Sequence, residues 1–160
     1  KGVSNFFSNL DDVVVIFNDL LQLKFVQFLS DTARFVVNST LGMGGLIDIA
    51  SDMGLEKHDE DFGQTLGYWG VGTGPFLVLP ILGPSNVRDG IGTGVDWFTL
   101  NEIRDGTTDL ETWQEVTWDL LKALDTRANV AFRYFETGSP FEYEWVRLLF
   151  TTKRQLDIER

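Results

Sequence analysis

Apolar residues recur at helical spacing from the start of the chain. Phe6, Leu10, Val13, Val14, Phe17, Leu20 and Leu21 fall on one face of a first helix, with Ser4 or Asn5 as N-cap. Phe7, Val15 and Ile16 lie off that face, so this helix is more apolar than a surface helix of a soluble domain needs. A second helix is predicted from about Lys24 to about Thr40, with Phe25, Phe28, Leu29, Thr32, Val36 and Val37 turned inward and Gly42 as its C-terminal stop. Leu46 to Met53 reads as a short helix ending at Gly54, and another begins near Asp59 and carries Phe62 and Leu66.

The helical period then stops. Gly67 to Pro84 reads as an extended hairpin or loop, after which Ser85 is expected to cap a helix running through Trp97. Thr108-Asp109-Leu110-Glu111 is a capping box that opens a long helix bearing Leu110, Trp113, Val116, Thr117, Leu120, Leu121 and Leu124, continuing to Phe135 and stopping at Gly138. Ser139-Pro140-Phe141-Glu142 is a second capping box with proline at the first helical position. It opens a last helix through Trp145, Leu148, Leu149 and Lys153. The pattern is that of an all-α domain with one long glycine-rich insertion, and long insertions in compact domains are usually functional.

That insertion is unusual in kind. Residues 41–94 hold 13 of the 16 glycines and three of the four prolines, yet the residues between them include Leu46, Leu66, Trp69, Phe76, Leu77, Val78 and Leu79. Glycine is entropically costly to order and serves where backbones approach closely or φ is positive. An apolar stretch this rich in glycine is expected to be a shaped surface that lines or contacts something.

Composition narrows the choices. With 160 residues the chain is expected to form one domain, and with 43% hydrophobic residues it has a globular composition. A net charge of -11 argues against nucleic acid and against polybasic docking to anionic lipid. With no cysteine and a single histidine, His58, neither a disulfide nor a thiolate or multi-histidine metal site is expected. No apolar run approaches the ~20 residues of a spanning helix.

The chemical motifs give weak signals. Gly70-Val71-Gly72-Thr73-Gly74 fits neither phosphate-binding spacing and is followed by no lysine, so turn and packing glycines are the simpler reading. Asp59-Glu60-Asp61 beside His58 lacks the acidic residue an EF-hand loop requires, because Gly70 stands there, and reads instead as an acidic helix N-terminus. A Ser/His/Asp hydrolase would have to use His58, which lies in the most polar stretch and is expected to be exposed; no GxSxG is present. Arg88-Asp89 reads either as a local ion pair or as a polar contact at a channel mouth. The five Trp and 13 Phe fit either a core or an interfacial belt.

Two stretches carry a resemblance. One is Phe35-Val36-Val37-Asn38-Ser39-Thr40-Leu41-Gly42-Met43-Gly44-Gly45-Leu46-Ile47-Asp48-Ile49-Ala50. The other is Asp61-Phe62-Gly63-Gln64-Thr65-Leu66-Gly67-Tyr68-Trp69-Gly70, continuing through Gly74-Pro75-Phe76, Leu79-Pro80, Gly83-Pro84-Ser85 and Arg88-Asp89. Together with Gly2-Val3-Ser4-Asn5-Phe6-Phe7-Ser8-Asn9-Leu10, Leu124-Asp125-Thr126-Arg127 and Ser139-Pro140-Phe141 with Arg147, they closely resemble the MlaA (VacJ) family of Gram-negative outer-membrane lipoproteins. Members carry a signal peptide, a lipidated cysteine and a further N-terminal segment; none is among these residues, so the chain looks like the core of a longer precursor.

The resemblance implies a ring-like, helical lipid-transport component in the periplasmic leaflet of the outer membrane, and not an enzyme. It implies partnership with porin trimers and a soluble periplasmic lipid carrier. Phospholipid misplaced in the outer leaflet would leave through an amphipathic channel, preserving lipid asymmetry. No cofactor, metal or catalytic residue is expected. Residues 62–88 are expected to border the channel, with Met43, Leu46, Trp69, Val71, Phe76 and Val78 as tail-side or hairpin wall. Arg88, Asp89 and Asp96 are the headgroup or mouth candidates, and Gly42, Gly44, Gly45, Gly67, Gly70, Gly72 and Gly74 the shape and hinge residues. The rival readings are a porin-associated structural protein without a channel and a lipid hydrolase.

Overall fold

The computed structural model describes residues 1–79, 82–107, 111–129 and 141–159. Seven helices and one hairpin follow in order: α1 (Gly2–Leu21), α2 (Phe25–Thr40), α3 (Ile49–Asp52), α4 (Phe62–Tyr68), β1 (Phe76–Leu79), β2 (Gly83–Asn86), α5 (Val87–Thr107), α6 (Thr112–Asn129) and α7 (Glu142–Glu159). The all-α expectation holds, with a two-stranded antiparallel hairpin where the glycine-rich insertion was expected to be extended. Its register pairs Phe76 with Asn86 and Leu79 with Gly83. Helix α1 packs mainly on α2, α4 packs mainly on α5, and α7 lies against α4 and β2.

The short helices are fixed by caps. Asp48 accepts from Ser51 N at 3.2 Å and opens α3; Asp61 accepts from Gln64 N at 2.9 Å and opens α4. Helix α5 is capped by Asn86, not Ser85: the Asn86 side-chain carbonyl accepts from Asp89 N at 2.8 Å, while Ser85 sits one residue earlier in β2. The longer side chain of Asn86 reaches the third helical amide, and α5 then runs on well past Trp97 to Thr107. Thr108–Leu110, Ser139, Pro140 and the expected extension of α6 to Phe135 lie outside the described residues.

The face of α2 is turned the other way from the sequence expectation, and the apolar stripe of α1 is divided between buried and exposed positions. In α2 the buried residues are Asp31, Arg34 and Asn38, while Phe25, Leu29 and Val36 are exposed. In α1 Phe17 and Leu20 are exposed, whereas Phe7, Asn9, Asp12, Val14, Val15, Asn18 and Asp19 are buried. Among the described residues the buried set holds fifteen polar or charged side chains and four apolar ones, Phe7, Val14, Val15 and Ala50. Amphipathic helices bury whichever stripe their surroundings reject. The reversal therefore has a physical reason: the period identifies a stripe but does not say on which side the apolar medium lies.

Such a core persists only if its polar groups are paired. Arg34, 1% exposed, donates to Ser51 Oγ at 3.2 Å, to Leu55 O at 2.5 Å and to Asp48 at 3.2 Å. Asn38 donates to Asp48 at 3.0 Å and accepts from Ala50 N at 2.9 Å, tying α3 to α2. Thr65 donates to Asn18 at 2.7 Å, and Gln22 donates to Glu60 at 2.9 Å and to Thr65 at 3.1 Å, tying α1 to α4 and the segment before it. Lys24 pairs with Glu60 at 2.7 Å and Lys57 with Asp12 at 3.1 Å.

Glycine makes the tightest crossing. A Cβ on Gly92 would sit 2.2 Å from Gly63 N, so α4 and α5 touch backbone to backbone there.

Candidate functional site

Inside this frame lies an amphipathic cavity of about 700 Å³. Its apolar wall comes from Val14 and Val15 of α1, Leu79 and Leu82 of the hairpin, Trp97 and Leu100 of α5, and Ala123 of α6. Gly90 and Gly94 keep the α5 wall thin. Its polar wall comes from Asp11, Asp59, Glu60, Asp61, Asp96, Asp119 and Lys122, with Thr93 and Thr126. Lys122 pairs with Asp11 at 2.8 Å, Asp119 with Arg104 at 3.3 Å and Asp61 with Arg154 at 2.7 Å.

Asp96 stands at the join of three elements. It accepts from Asn18 of α1 at 3.2 Å and from Phe62 N at the start of α4 at 3.0 Å. Burial pushes its carboxyl up to about 6 despite those two hydrogen bonds. Asp61 is moved the other way: burial raises it, but the Arg154 guanidinium, bound at 2.7 and 2.8 Å, more than offsets this and holds it below the ordinary range. Arg154 also donates to Asp89 at 2.8 Å, which fastens α7 to the start of α5.

A second titrating cluster sits between α1 and α2. Among the described residues no donor reaches either oxygen of the fully buried Asp19. Burial first, then the carboxylates of Asp31 and Glu60, push it up to about 8. These causes favour the protonated form of Asp19. His58 is not the exposed residue expected: it is half-buried, with Nδ1 2.8 Å from Asp31 Oδ2. Asp31 is its one side-chain hydrogen-bond partner among the described residues. Asp48, by contrast, is raised by burial but lowered further by hydrogen bonds from Ser51 and Asn38, to about 2.

Of the sequence candidates, Asp96 is in the cavity wall. Arg88 and Asp89 form a buried ion pair at 2.8 Å, enclosed with Asn86 and Arg154, and do not stand at an open mouth. Phe76 packs edge-on against Tyr143 and Phe150 of α7, and Val78 is on the outer side of the same strand. Trp69 lies edge-on to Phe62 and donates to Leu21 O at 3.3 Å. Met43, Leu46 and Val71 are exposed, Met43 with φ 55°. Gly42, Gly45 and Gly67 are sites of close approach, to Asn38, Asn9 and Ile158 in turn. Gly44, Gly70 and Gly74 have positive φ, and Gly72 faces open space.

The cavity residues that sequence reasoning missed include Asp11, Leu79, Trp97, Leu100, Asp119 and Lys122. Alternation in the hairpin was the available signal for Leu79: its neighbour Val78 points to the other face. Nothing local distinguished Lys122, whose partner Asp11 is 111 residues away.

The family model for the MlaA lipoprotein matches residues 1–157. The intermembrane phospholipid transport system lipoprotein MlaA of Escherichia coli is 35% identical over 139 residues, covering 81% of this chain and 51% of that protein. An uncharacterized protein of Rickettsia prowazekii is 38% identical over 112 residues, covering 69% of this chain and 45% of its own length. A solved structure described as the structural basis for maintenance of bacterial outer membrane lipid asymmetry aligns with a TM-score of 0.71 at 29% identity, covering 98% of this chain and 78% of that one. The chain spans about half the length of these curated relatives. It belongs to the MlaA lipoprotein family.

Proposed function

We propose that residues 1–160 act as one domain, the lipid-path core of an outer-membrane lipoprotein that moves phospholipid between membranes. Phospholipid mislocalised in the outer leaflet enters the amphipathic cavity and passes to a soluble periplasmic carrier, which maintains lipid asymmetry. The domain sits in the periplasmic leaflet beside porin trimers. It carries no catalytic role in this reading.

The observation that carries the reading is the outward-turned apolar face of α2 together with an amphipathic cavity against the face of α1 that adjoins the buried α2–α3 network. Exposed apolar side chains on both long N-terminal helices, from Phe17 to Leu41, face outward as acyl chains require. No helix among the described residues is long and apolar enough to cross a membrane, so insertion into one leaflet is the fitting mode. The cavity is an open cleft that offers a tail-side wall and a charged wall facing one space. The family relatives named for phospholipid transport support the same reading.

The test is a clean deletion in the source bacterium with labelling of outer-leaflet phospholipid. A rise in outer-leaflet phospholipid, reversed by the full-length protein, is expected. No rise overturns the transport reading, and porin pull-down without copurified lipid would leave the structural role in its place.

A further inference from the structure

Residues 59–61 form a wall shared by two spaces. On one side is the amphipathic cavity; on the other is a polar pocket of about 460 Å³, and Asp59, Glu60 and Asp61 line both. The remaining charges of the polar pocket come from Lys57, His58, Lys153, Arg154 and Asp157.

Most of these charges are already paired within the fold. Lys57 holds Asp12, His58 holds Asp31, Glu60 holds Lys24, and Arg154 holds Asp61 and Asp89. Among the described residues Asp59, Asp157 and Lys153 have no ion-pair partner. Gln64 adds a neutral acceptor. It is 2% exposed and lines the pocket; its amide nitrogen donates to Asp59 O at 2.6 Å, and its Oε1 has no partner among the described residues. A buried unpartnered acceptor is costly and marks a place where a donor belongs.

The uncommitted set is therefore one ammonium, two carboxylates and two amide oxygens, those of Gln64 and Gln27, next to a cavity walled in part by apolar side chains. This set matches a zwitterionic headgroup with a terminal primary ammonium. The phosphate meets Lys153, and the three N–H donors of the ammonium meet the Asp59 and Asp157 carboxylates and Gln64. A phosphoglycerol headgroup brings only negative charge to two uncompensated carboxylates. A quaternary choline has no N–H to donate.

We propose that residues 59–61 divide a single lipid site, acyl chains in the cavity and headgroup in the polar pocket, and that the pocket selects aminophospholipid over anionic phospholipid. This rests on the transport reading and adds a substrate class to it.

The test uses the full-length protein equilibrated with phosphatidylcholine vesicles holding equal phosphatidylethanolamine and phosphatidylglycerol, recovered by affinity tag, with bound lipid counted by mass spectrometry. Phosphatidylethanolamine is expected to exceed phosphatidylglycerol roughly fivefold, the scale of one partly exposed charge contact. Asp59→Asn removes a charge without removing any side-chain bond and should bring the ratio toward one. Lys153→Ala should lower both lipids together. Equal retention of the two lipids, or an unchanged ratio in Asp59→Asn, overturns the selectivity. Soluble phosphoethanolamine competing as well as the lipid overturns the shared-site assignment, because it brings no acyl chains. Retention of no phospholipid at all overturns the transport reading itself, so the two failures are distinguishable.

Discussion

The α1–α2 interface and the cavity wall draw on the same helix and use adjoining faces of it. Toward α2, α3 and the 57–60 segment, α1 presents Asn9, Asp12, Asp19 and Gln22, and α2 answers with Asp31, Arg34 and Asn38. Toward the cavity, α1 presents Val14 and Val15. On the α2 side the buried groups of α1 are mostly polar; on the cavity side α1 contributes apolar wall. In water the first arrangement is a poor source of stability, because the pairing only offsets the desolvation of its members. It is economical when the outer surface meets hydrocarbon, since an apolar contact between helices then gains nothing over an apolar contact with lipid.

The largest expected effect comes from breaking the polar interface. Arg34→Met removes the donors to Ser51, Leu55 O and Asp48. It should cost about 3–5 kcal/mol, the range for deleting one member of a buried pair. Denaturant unfolding in detergent micelles checks it. Arg154→Ala comes next, because Asp61 and Asp89 lose a shared cation while Asp89 keeps Arg88. A loss of about 2 kcal/mol is expected, together with faster proteolysis within α7 than elsewhere.

Gly92→Ala probes the joint between the two regions. Its Cβ has no room against Gly63, so α5 must move off α4, at a cost of about 1–3 kcal/mol. Because Gly90, Thr93, Gly94 and Trp97 of the same helix line the cavity, lipid binding should fall along with stability.

The pH dependence separates the carboxylates by sign, with one raised and one lowered group in each region. Asp19 and Asp96 are raised in the folded protein, so they favour folding most below about 4. That contribution is lost as pH rises, through about 6 for Asp96 and about 8 for Asp19. Asp48 and Asp61 are lowered, so their contribution is present above about 4 and is lost as pH falls below it. Melting temperature should therefore drop between pH 5 and pH 8, by roughly 3 °C or more. Asp19→Asn should flatten most of that drop, and a native protein equally stable at both values would contradict the assignment.

Helix existence was legible in the sequence because the apolar stripes and the Asp61 and Gly42 boundary signals are local. Orientation was not. The period of α2 marks Phe25, Leu29 and Val36 as one stripe whether that stripe faces a core or a bilayer, and only the tertiary partners of Arg34 and Asn38 decide between them. The cavity was half legible for a related reason. The hairpin lies in the glycine-rich stretch that drew attention and Asp96 just beyond it, but Lys122 and Asp119 enter from α6, and no local pattern places α6 beside α1.

The central claim is that the apolar stripe of α2 faces lipid and its polar stripe faces protein. Val26, 84% exposed, is the most direct reporter. A spin label at Val26→Cys, in full-length protein reconstituted into phospholipid vesicles, measures collision with oxygen, which concentrates among acyl chains, and with a water-soluble nickel chelate, which does not. The account predicts strong relaxation by oxygen and little by nickel. Strong relaxation by nickel would place α2 in water and contradict it.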